Sequence, residues 1–245
     1  MSKLCTAAML VVLLLTGCNP WETTKKIYHN RSLPAHIDLQ EGPDLNEQER
    51  KLSKTLNAAD RRIEQLRLAM ERQTRAPALE WMREQMRVMS WINGLFVLDS
   101  RGTPLEKFPE NPVKKVDLEG IHRHMLNETT PTMRLIPQQT EFGPEVCLVK
   151  PFFDRDTYRG YLLAHFDLRS LLAELEAARD IMIFVPGRLL WRGDNHQLAT
   201  VVIQRNWQDL LEEDYQGEIT VQGRTVYWLV RFIGADPLIY AVEMQ

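Results

Sequence analysis

The sequence predicts an α+β fold in which one long helix is followed by two antiparallel sheets with flanking helices. Apolar residues recur every three or four positions from Leu45 to Met70, which indicates a long amphipathic helix. After Ser90 the pattern changes to short apolar runs separated by turn residues, as is typical of strands. The order of hairpin, short helix and three strands then occurs twice before residue 245, which indicates an internal duplication.

Residues 1–17 have the features of a bacterial signal peptide. Lys3 precedes an apolar run that ends at Leu15 and is shorter than the ~20 residues needed to span a bilayer. The following "LTGC" resembles the lipobox of bacterial lipoproteins. This resemblance implies cleavage before Cys18 and attachment of lipid, including palmitate, to Cys18. The alternative is an ordinary secretory signal with an incidental cysteine.

Residues 18–44 are predicted to form a tether between the lipid and a folded domain, because Pro, Asn, Thr and charged residues alternate there without a sustained period. Asn19 follows the cysteine where enterobacterial lipoproteins retained in the inner membrane carry Asp. We therefore expect a periplasm-facing domain held in the cell envelope, by the outer rather than the inner membrane.

The charge and the cysteine content of the chain argue against a nucleic-acid partner and against a disulfide. A formal charge of −3 and a pI near 6.1 argue against a nucleic-acid partner. Of three cysteines, Cys5 would leave with the signal peptide and Cys18 would carry lipid, so no intrachain disulfide is expected. Cys147 lies in the apolar run "VCLVKPFF" and is predicted to be a buried, inert thiol.

No motif in the sequence points to an enzyme. Metalloprotease helices, zinc-type cysteine pairs, phosphate-binding glycine loops and the Gly-x-Ser-x-Gly elbow do not occur. His122 and His124 are two residues apart on a predicted helix and therefore point to different sides, so they cannot share a metal ion. We expect no catalysis, no metal and no cofactor.

Residues 45–90 form the predicted helical region, with a long helix from Asn46 to about Arg75 and a second helix, restarted at Pro77, through "PALEWMREQMRVMS". Two uses of the apolar stripe remain open, namely packing along the chain's own sheets or homodimerisation through helix 46–75. The stripe consists of Leu45, Leu52, Leu56, Ala59, Ile63, Leu66 and Met70.

Residues 91–178 form the first predicted sheet unit. It opens with the hairpin "GLFVLDSRGTPLEKF" and continues with a short helix whose N-cap is Asp117. Three strands are predicted within residues 132–137, 145–153 and 158–168, followed by a helix over residues 168–180.

Residues 179–245 form a second, smaller unit with the same order. The hairpin "DIMIFVPGRLLWR" leads to a helix in "RNWQDLLEEDY", and the strands "GEITVQ", "RTVYWLVRFI" and "PLIYAVEM" follow. The runs "VCLVKPFF" and "VYWLVRFI" are the clearest match between the two units, since both are long apolar strands with a basic residue near the end.

The stretches "GLFVLDSRGTPL" and "VKPFFDRDTYRGYLLAHFDLRSLLAEL" resemble the double Cache extracellular sensor domains, which contain two tandem PAS-like sheets behind a long helix. The resemblance implies a small-molecule pocket in one unit, usually the first. It does not extend to the Arg-x-Trp-Tyr pattern of the amino-acid-binding relatives. Cache receptors usually continue into a membrane helix and a cytoplasmic module, whereas this sequence stops at Gln245, so we expect a relay through a separate membrane protein.

Six side chains of the first unit are candidates for such a pocket. Arg134 can bind a carboxylate through two parallel hydrogen bonds. His165 lies within an apolar strand and, if it faces inward, needs a polar partner; a hydrogen-bonded core histidine is the structural alternative. The remaining four candidates lie at or before the predicted turn between the second and third strands of the meander: Glu141, Phe152, Asp154 and Tyr158.

The sequence thus favours a lipid-anchored small-molecule sensor. The alternative is a structural or assembly lipoprotein that uses its sheets and long helix for protein docking. In that case, polar substitution of Ile63 and Leu66 would release the partner without unfolding the sheets.

Overall fold

The computed structural model describes residues 47–127, 132–155 and 157–244. The predicted signal peptide 1–17, the lipidation predicted at Cys18, the predicted tether 18–44 and the first two positions of the helical region lie outside the described residues. Within these ranges the chain forms six helices and two five-stranded antiparallel sheets, which confirms the predicted α+β fold. No helix among the described residues is both long enough and apolar enough to cross a bilayer.

The elements alternate along the chain in two similar blocks. The helices are α1 (Glu47–Glu71), α2 (Leu79–Val88), α3 (Leu118–Leu126), α4 (Leu168–Leu172), α5 (His196–Val202) and α6 (Trp207–Glu213). The strands of the first sheet are β1 (Ile92–Asp99), β2 (Pro104–Phe108), β3 (Arg134–Thr140), β4 (Gly143–Asp154) and β5 (Thr157–Phe166). The strands of the second sheet are β6 (Ile181–Val185), β7 (Arg188–Trp191), β8 (Gln216–Val221), β9 (Arg224–Ile233) and β10 (Asp236–Glu243).

The two sheets have the same topology. Their strand orders are β2-β1-β5-β4-β3 and β7-β6-β10-β9-β8, so each strand has an equivalent in the other sheet. The runs "VCLVKPFF" and "VYWLVRFI" belong to β4 and β9, which occupy equivalent places. The predicted duplication into tandem PAS-like sheets is therefore confirmed, and the second sheet has as many strands as the first.

Helix α1 packs along both sheets of its own chain. Polar groups attach it at several points: Ala177 N donates to Thr55 Oγ1 (3.1 Å), and Arg231 Nε of β9 donates to Asp60 Oδ1 (2.6 Å). Beyond the end of the helix, Lys150 of β4 donates to the carbonyl of Gln73. The predicted stripe is buried at Leu52, Leu56, Ala59, Ile63, Leu66 and Met70.

This burial decides between the two predicted uses of the stripe. A coiled coil between two copies needs the apolar seam of helix 46–75 on the surface, but Ile63 and Leu66 are at most 1 % exposed within a single chain. The structure therefore contradicts the second use, homodimerisation through this stripe. Ile63 and Leu66 are core residues and not contacts for a second protein.

Two helical predictions need correction, and one helix has no counterpart in the predictions. Ala78 is the N-cap of α2, so Pro77 lies before the helix and not in its first turn. The helix predicted over residues 168–180 ends at Leu172, because Ala173 leaves the helical conformation with a ψ of 137° and Glu174 has a φ of 69°. Helix α5 was not predicted.

The first sheet begins with the turn and cap that the sequence predicts. Asp99 Oδ1 accepts hydrogen bonds from the backbone N–H groups of Arg101 and Thr103, both at 2.8 Å, and closes the β1–β2 hairpin. Asp117 Oδ1 accepts from Gly120 N (2.9 Å) and caps α3. The cap directs α3 across one face of the first sheet.

A pair of leucines on α1 tests its role as core. Leu66→Ala removes a fully buried side chain and should lower the free energy of unfolding by about 3 kcal/mol. Leu68→Ala removes the same atoms from a side chain that is 38 % exposed and should cost less than about 1 kcal/mol. Urea unfolding of both variants measures the difference; equal losses would contradict the packing described for α1.

Candidate ligand site

The face of the first sheet beneath α3 is filled by side chains of its own strands. Phe96, Cys147, Val149 and Leu163 pack there against Ile121 of α3. Because side chains alternate along a strand, Gly94, Glu145 and His165 belong to the same face. His165 is in register with Gly94 on one side and with Cys147 on the other.

A buried polar network occupies one end of this face. Glu145 accepts hydrogen bonds from His165 Nδ1 (3.1 Å) and Asn93 Nδ2 (2.9 Å), and Lys114 Nζ lies 2.7 Å from its other oxygen. Lys114 also forms an ion pair with Asp167, which accepts from Ser170 N (2.6 Å) as the N-cap of α4. The network therefore joins three strands, the segment before α3 and the start of α4.

The network keeps Glu145 ionised. Burial by itself raises the pKa of this carboxyl, but hydrogen bonds from His165, Lys114 and Asn93 outweigh burial and hold the pKa below its ordinary value. At Cys147 burial prevails and raises the pKa of the thiol, and the negative charge of Glu145 raises it further. Cys147 is thus buried as predicted.

His165 faces inward, and its second ring nitrogen contacts the backbone. His165 Nε2 is buried and has no hydrogen-bond partner in the described part of the chain. It lies against Gly94, where the Cβ of any other residue would collide with the imidazole. Gly94 therefore makes room for the ring, and His165 is a core histidine bonded to Glu145, the structural alternative considered from the sequence.

Arg134 binds a carboxylate, but the carboxylate belongs to the chain itself. Its Nε and Nη2 atoms donate to the two oxygens of Asp236 at 2.7 and 2.6 Å, and Leu135 N donates to Asp236 Oδ2 at 2.7 Å. Beside this pair Gly234, with a φ of 62°, lets the β9–β10 turn approach the carbonyl of Met133 closely. The structure gives Arg134 the bidentate geometry expected for ligand binding, but uses it to join the two units.

The other predicted residues separate into two groups. Phe152, Asp154 and Tyr158 lie together around the β4–β5 turn, where the first two line a shallow cleft of about 350 Å³. Asp154 is exposed and pairs with Arg159 at 3.1 Å. Glu141 is exposed in the β3–β4 turn at the opposite end of β4.

A larger concavity lies where the two units meet. We call it the junction crevice; it is about 510 Å³ and is formed by the β3–β4 turn, the start of α4 and the segment from β7 to α5. Asp167 of the buried network forms part of its wall. The sequence does not predict this crevice, because its residues come from separate segments up to 54 positions apart, from Phe142 to His196. The residue pattern within any one of these segments does not predict that the segments lie side by side.

Comparison with solved structures supports the fold. The ligand-binding domain of the Pseudomonas aeruginosa PAO1 amino acid chemoreceptor PctC in complex with GABA has a TM-score of 0.55 at 12% identity, covering 80% of this chain and 96% of that one. The ligand-binding domain of the Pseudomonas fluorescens chemoreceptor CtaA gives 0.52 at 12% identity with L-isoleucine bound, covering 79% and 88%. The same domain with L-alanine gives 0.51 at 15%, covering 81% and 96%.

These identities show the fold alone. No family model matches the chain, and no curated protein matches it. The structural neighbours named above are ligand-binding domains of bacterial chemoreceptors. The described chain therefore has the tandem PAS-like fold of such domains.

Replacing Glu145 tests the buried network through the pH dependence of stability. The folded pKa of Glu145 lies below the ordinary value of 4.5, so its ionised form stabilises the fold above about pH 4.5, and this stabilisation is lost as the pH falls through the folded pKa. At pH 7, Glu145→Gln should lower the free energy of unfolding by about 2 kcal/mol, because Lys114 and His165 lose a charged partner. Between pH 6 and 3 the variant should lose less stability than the wild type. Urea unfolding across this range measures both effects.

Glu119→Gln is the matched control, since the side chain of Glu119 is 81% exposed on α3. The control should keep the wild-type profile. If Glu145→Gln also keeps it, the carboxylate does not have the role described here.

Proposed function

We propose that the chain is a lipid-anchored, periplasm-facing sensor that binds a small molecule and relays the signal through a separate membrane protein. The observation that carries this proposal is the pair of sheets with one strand order, held by one long helix. Ligand-binding domains of two bacterial chemoreceptors share this fold at TM-scores above 0.5. The concavity at the junction of the units gives a small molecule a place to bind.

The envelope location rests on the first 18 residues. The short apolar run and the "LTGC" stretch support cleavage before Cys18 and its lipidation. A lipid anchor inserts into one leaflet and cannot itself carry a conformational signal across the bilayer. The proposed sensor therefore passes its signal to a membrane-spanning partner.

The proposed action is binding and not catalysis. The side chains of the first unit that could act as a base or a nucleophile are not accessible: His165 is hydrogen-bonded to Glu145, and the Cys147 thiol is buried. A nucleophile or base must reach its substrate to act. These groups are enclosed instead within the sheet that α3 covers.

A thermal-shift screen tests the sensor function. The full chain in detergent is heated with small carboxylates, amines, amino acids and nucleobases, and a true ligand should raise the melting temperature because it binds only the folded state. Amino acids and GABA are included because the PctC and CtaA domains bind them. A silent screen, together with a protein partner recovered by crosslinking, would favour the structural or assembly lipoprotein instead.

Substitution of Cys18 tests the anchor. In a Gram-negative host fed radiolabelled palmitate, the wild-type chain should incorporate label and begin at Cys18, and Cys18→Ser should remain unlabelled and unprocessed. Cys5→Ser is the matched control and should be labelled normally, since Cys5 belongs to the segment that is removed. Labelling of Cys18→Ser would contradict lipidation at this residue. Density-gradient separation of the two membranes should place the wild type in the outer-membrane fraction.

A further inference from the structure

We propose that the junction crevice binds a small organic anion with an apolar body. The inference rests on the proposed sensor function and adds to it the place of the site and the chemical class of its ligand. Both units contribute, since Arg169 belongs to the start of α4 and Arg192 follows β7. A ligand there would contact the two sheet units at once.

The size and apolar surface of the crevice suit a small molecule. Its volume of about 510 Å³ lies within the range of about 300–1,000 Å³ that is usual for ligand pockets. Pro144, Leu168 and Trp191 contribute apolar surface, and the indole N–H of Trp191 donates to Ala178 O (2.8 Å), which fixes the ring. Phe142 also lines the crevice, and its side chain, which is 49% exposed, adds apolar surface that a ligand could cover.

The charged groups of the crevice favour an anion. The guanidinium groups of Arg169 and Arg192 line it, and so does the ring of His196, although the whole chain has a net charge of −3 with its histidines counted as neutral. Arg192 and His196 form no ion pair with any residue in the described ranges. An arginine fork recognises a carboxylate or phosphate through two parallel hydrogen bonds.

The acidic residue in the wall does not cancel these charges. Asp167 is 5% exposed, forms an ion pair with Lys114 and accepts from Ser170 N. Its Oδ2 atom lies 4.0 Å from Arg169 Nη2, whereas the same nitrogen donates to Phe142 O at 2.7 Å. Phe142 O therefore orients the guanidinium of Arg169, and its remaining N–H groups are available to a ligand.

The crevice is also connected to the interior of the first sheet. Asp167 contacts Lys114, Lys114 contacts Glu145, and Glu145 binds His165 beneath α3. An anion placed beside Asp167 would act on this chain of charges as well as on the joint between the units. Occupancy of the crevice would therefore stabilise one arrangement of the two sheets.

Thermal unfolding of the full chain in detergent tests the proposal with benzoate and phenylacetate. Benzyl alcohol and 2-phenylethanol are the uncharged counterparts. At a concentration 100 times its Kd, a carboxylate should raise the melting temperature by about 5 °C, and the alcohols should have little effect. Arg192→Ala and Arg169→Ala should each weaken carboxylate affinity about tenfold.

Arg72→Ala is the matched control, because it removes an exposed arginine just beyond the end of α1. It should keep wild-type affinity, and the unliganded melting temperatures of all three variants show whether each folds. The proposal is overturned if carboxylates bind the crevice variants as well as the wild type, if the alcohols bind equally well, or if no carboxylate binds. In the last case, a stabilising amine or nucleobase would leave the sensor function standing, whereas silence across all classes would contradict both.

Discussion

The rest of the structure depends on the burial of the apolar stripe of α1 against two sheets. Burying a Leu, Ile or Met side chain contributes about 2 kcal/mol, and α1 buries five such side chains together with Ala59. The Arg231–Asp60 pair then fixes α1 against the second sheet, because a buried guanidinium requires its carboxylate. Lys150 and the Gln73 carbonyl fix the other end of the helical segment against the first sheet. One helix thus determines how two similar units share a core.

The first sheet combines this apolar packing with charges that it keeps inside. Glu145 and His165 are almost completely buried. Replacing the whole pair by apolar side chains would cost little, because both groups lose their hydration, but removing Glu145 alone costs more, because its partners are left unpaired. The network also constrains geometry, since it is satisfied only when β4, β5 and the segment before α3 are in their observed places. The chain's own polar groups therefore fill space beneath α3, and the more open concavity lies at the junction of the units.

The elements that the sequence predicts well are those with local signals. The β1–β2 hairpin follows from an apolar run and an Asp99 turn, and the duplication follows from two similar series of such runs. Helix α5 has weak intrinsic propensity at Val201 and Val202 and is stabilised by Leu198, Ala199 and Val202 packing against the second sheet. The Arg134–Asp236 pair joins residues 102 positions apart. Such contacts depend on the completed topology, so no pattern along the chain could show them.

The way in which α1 joins the two units determines how the molecule bears a load. Its early turns contact the segment between the sheets and β9, through Thr55 and Asp60, and the chain just beyond its last turn contacts β4. All residues before Glu47 enter the described structure through this helix. A pull on the chain before Glu47 would therefore reach both sheets along one helix of about 37 Å, and it would be resisted in shear by the whole buried stripe instead of opening the junction from one edge.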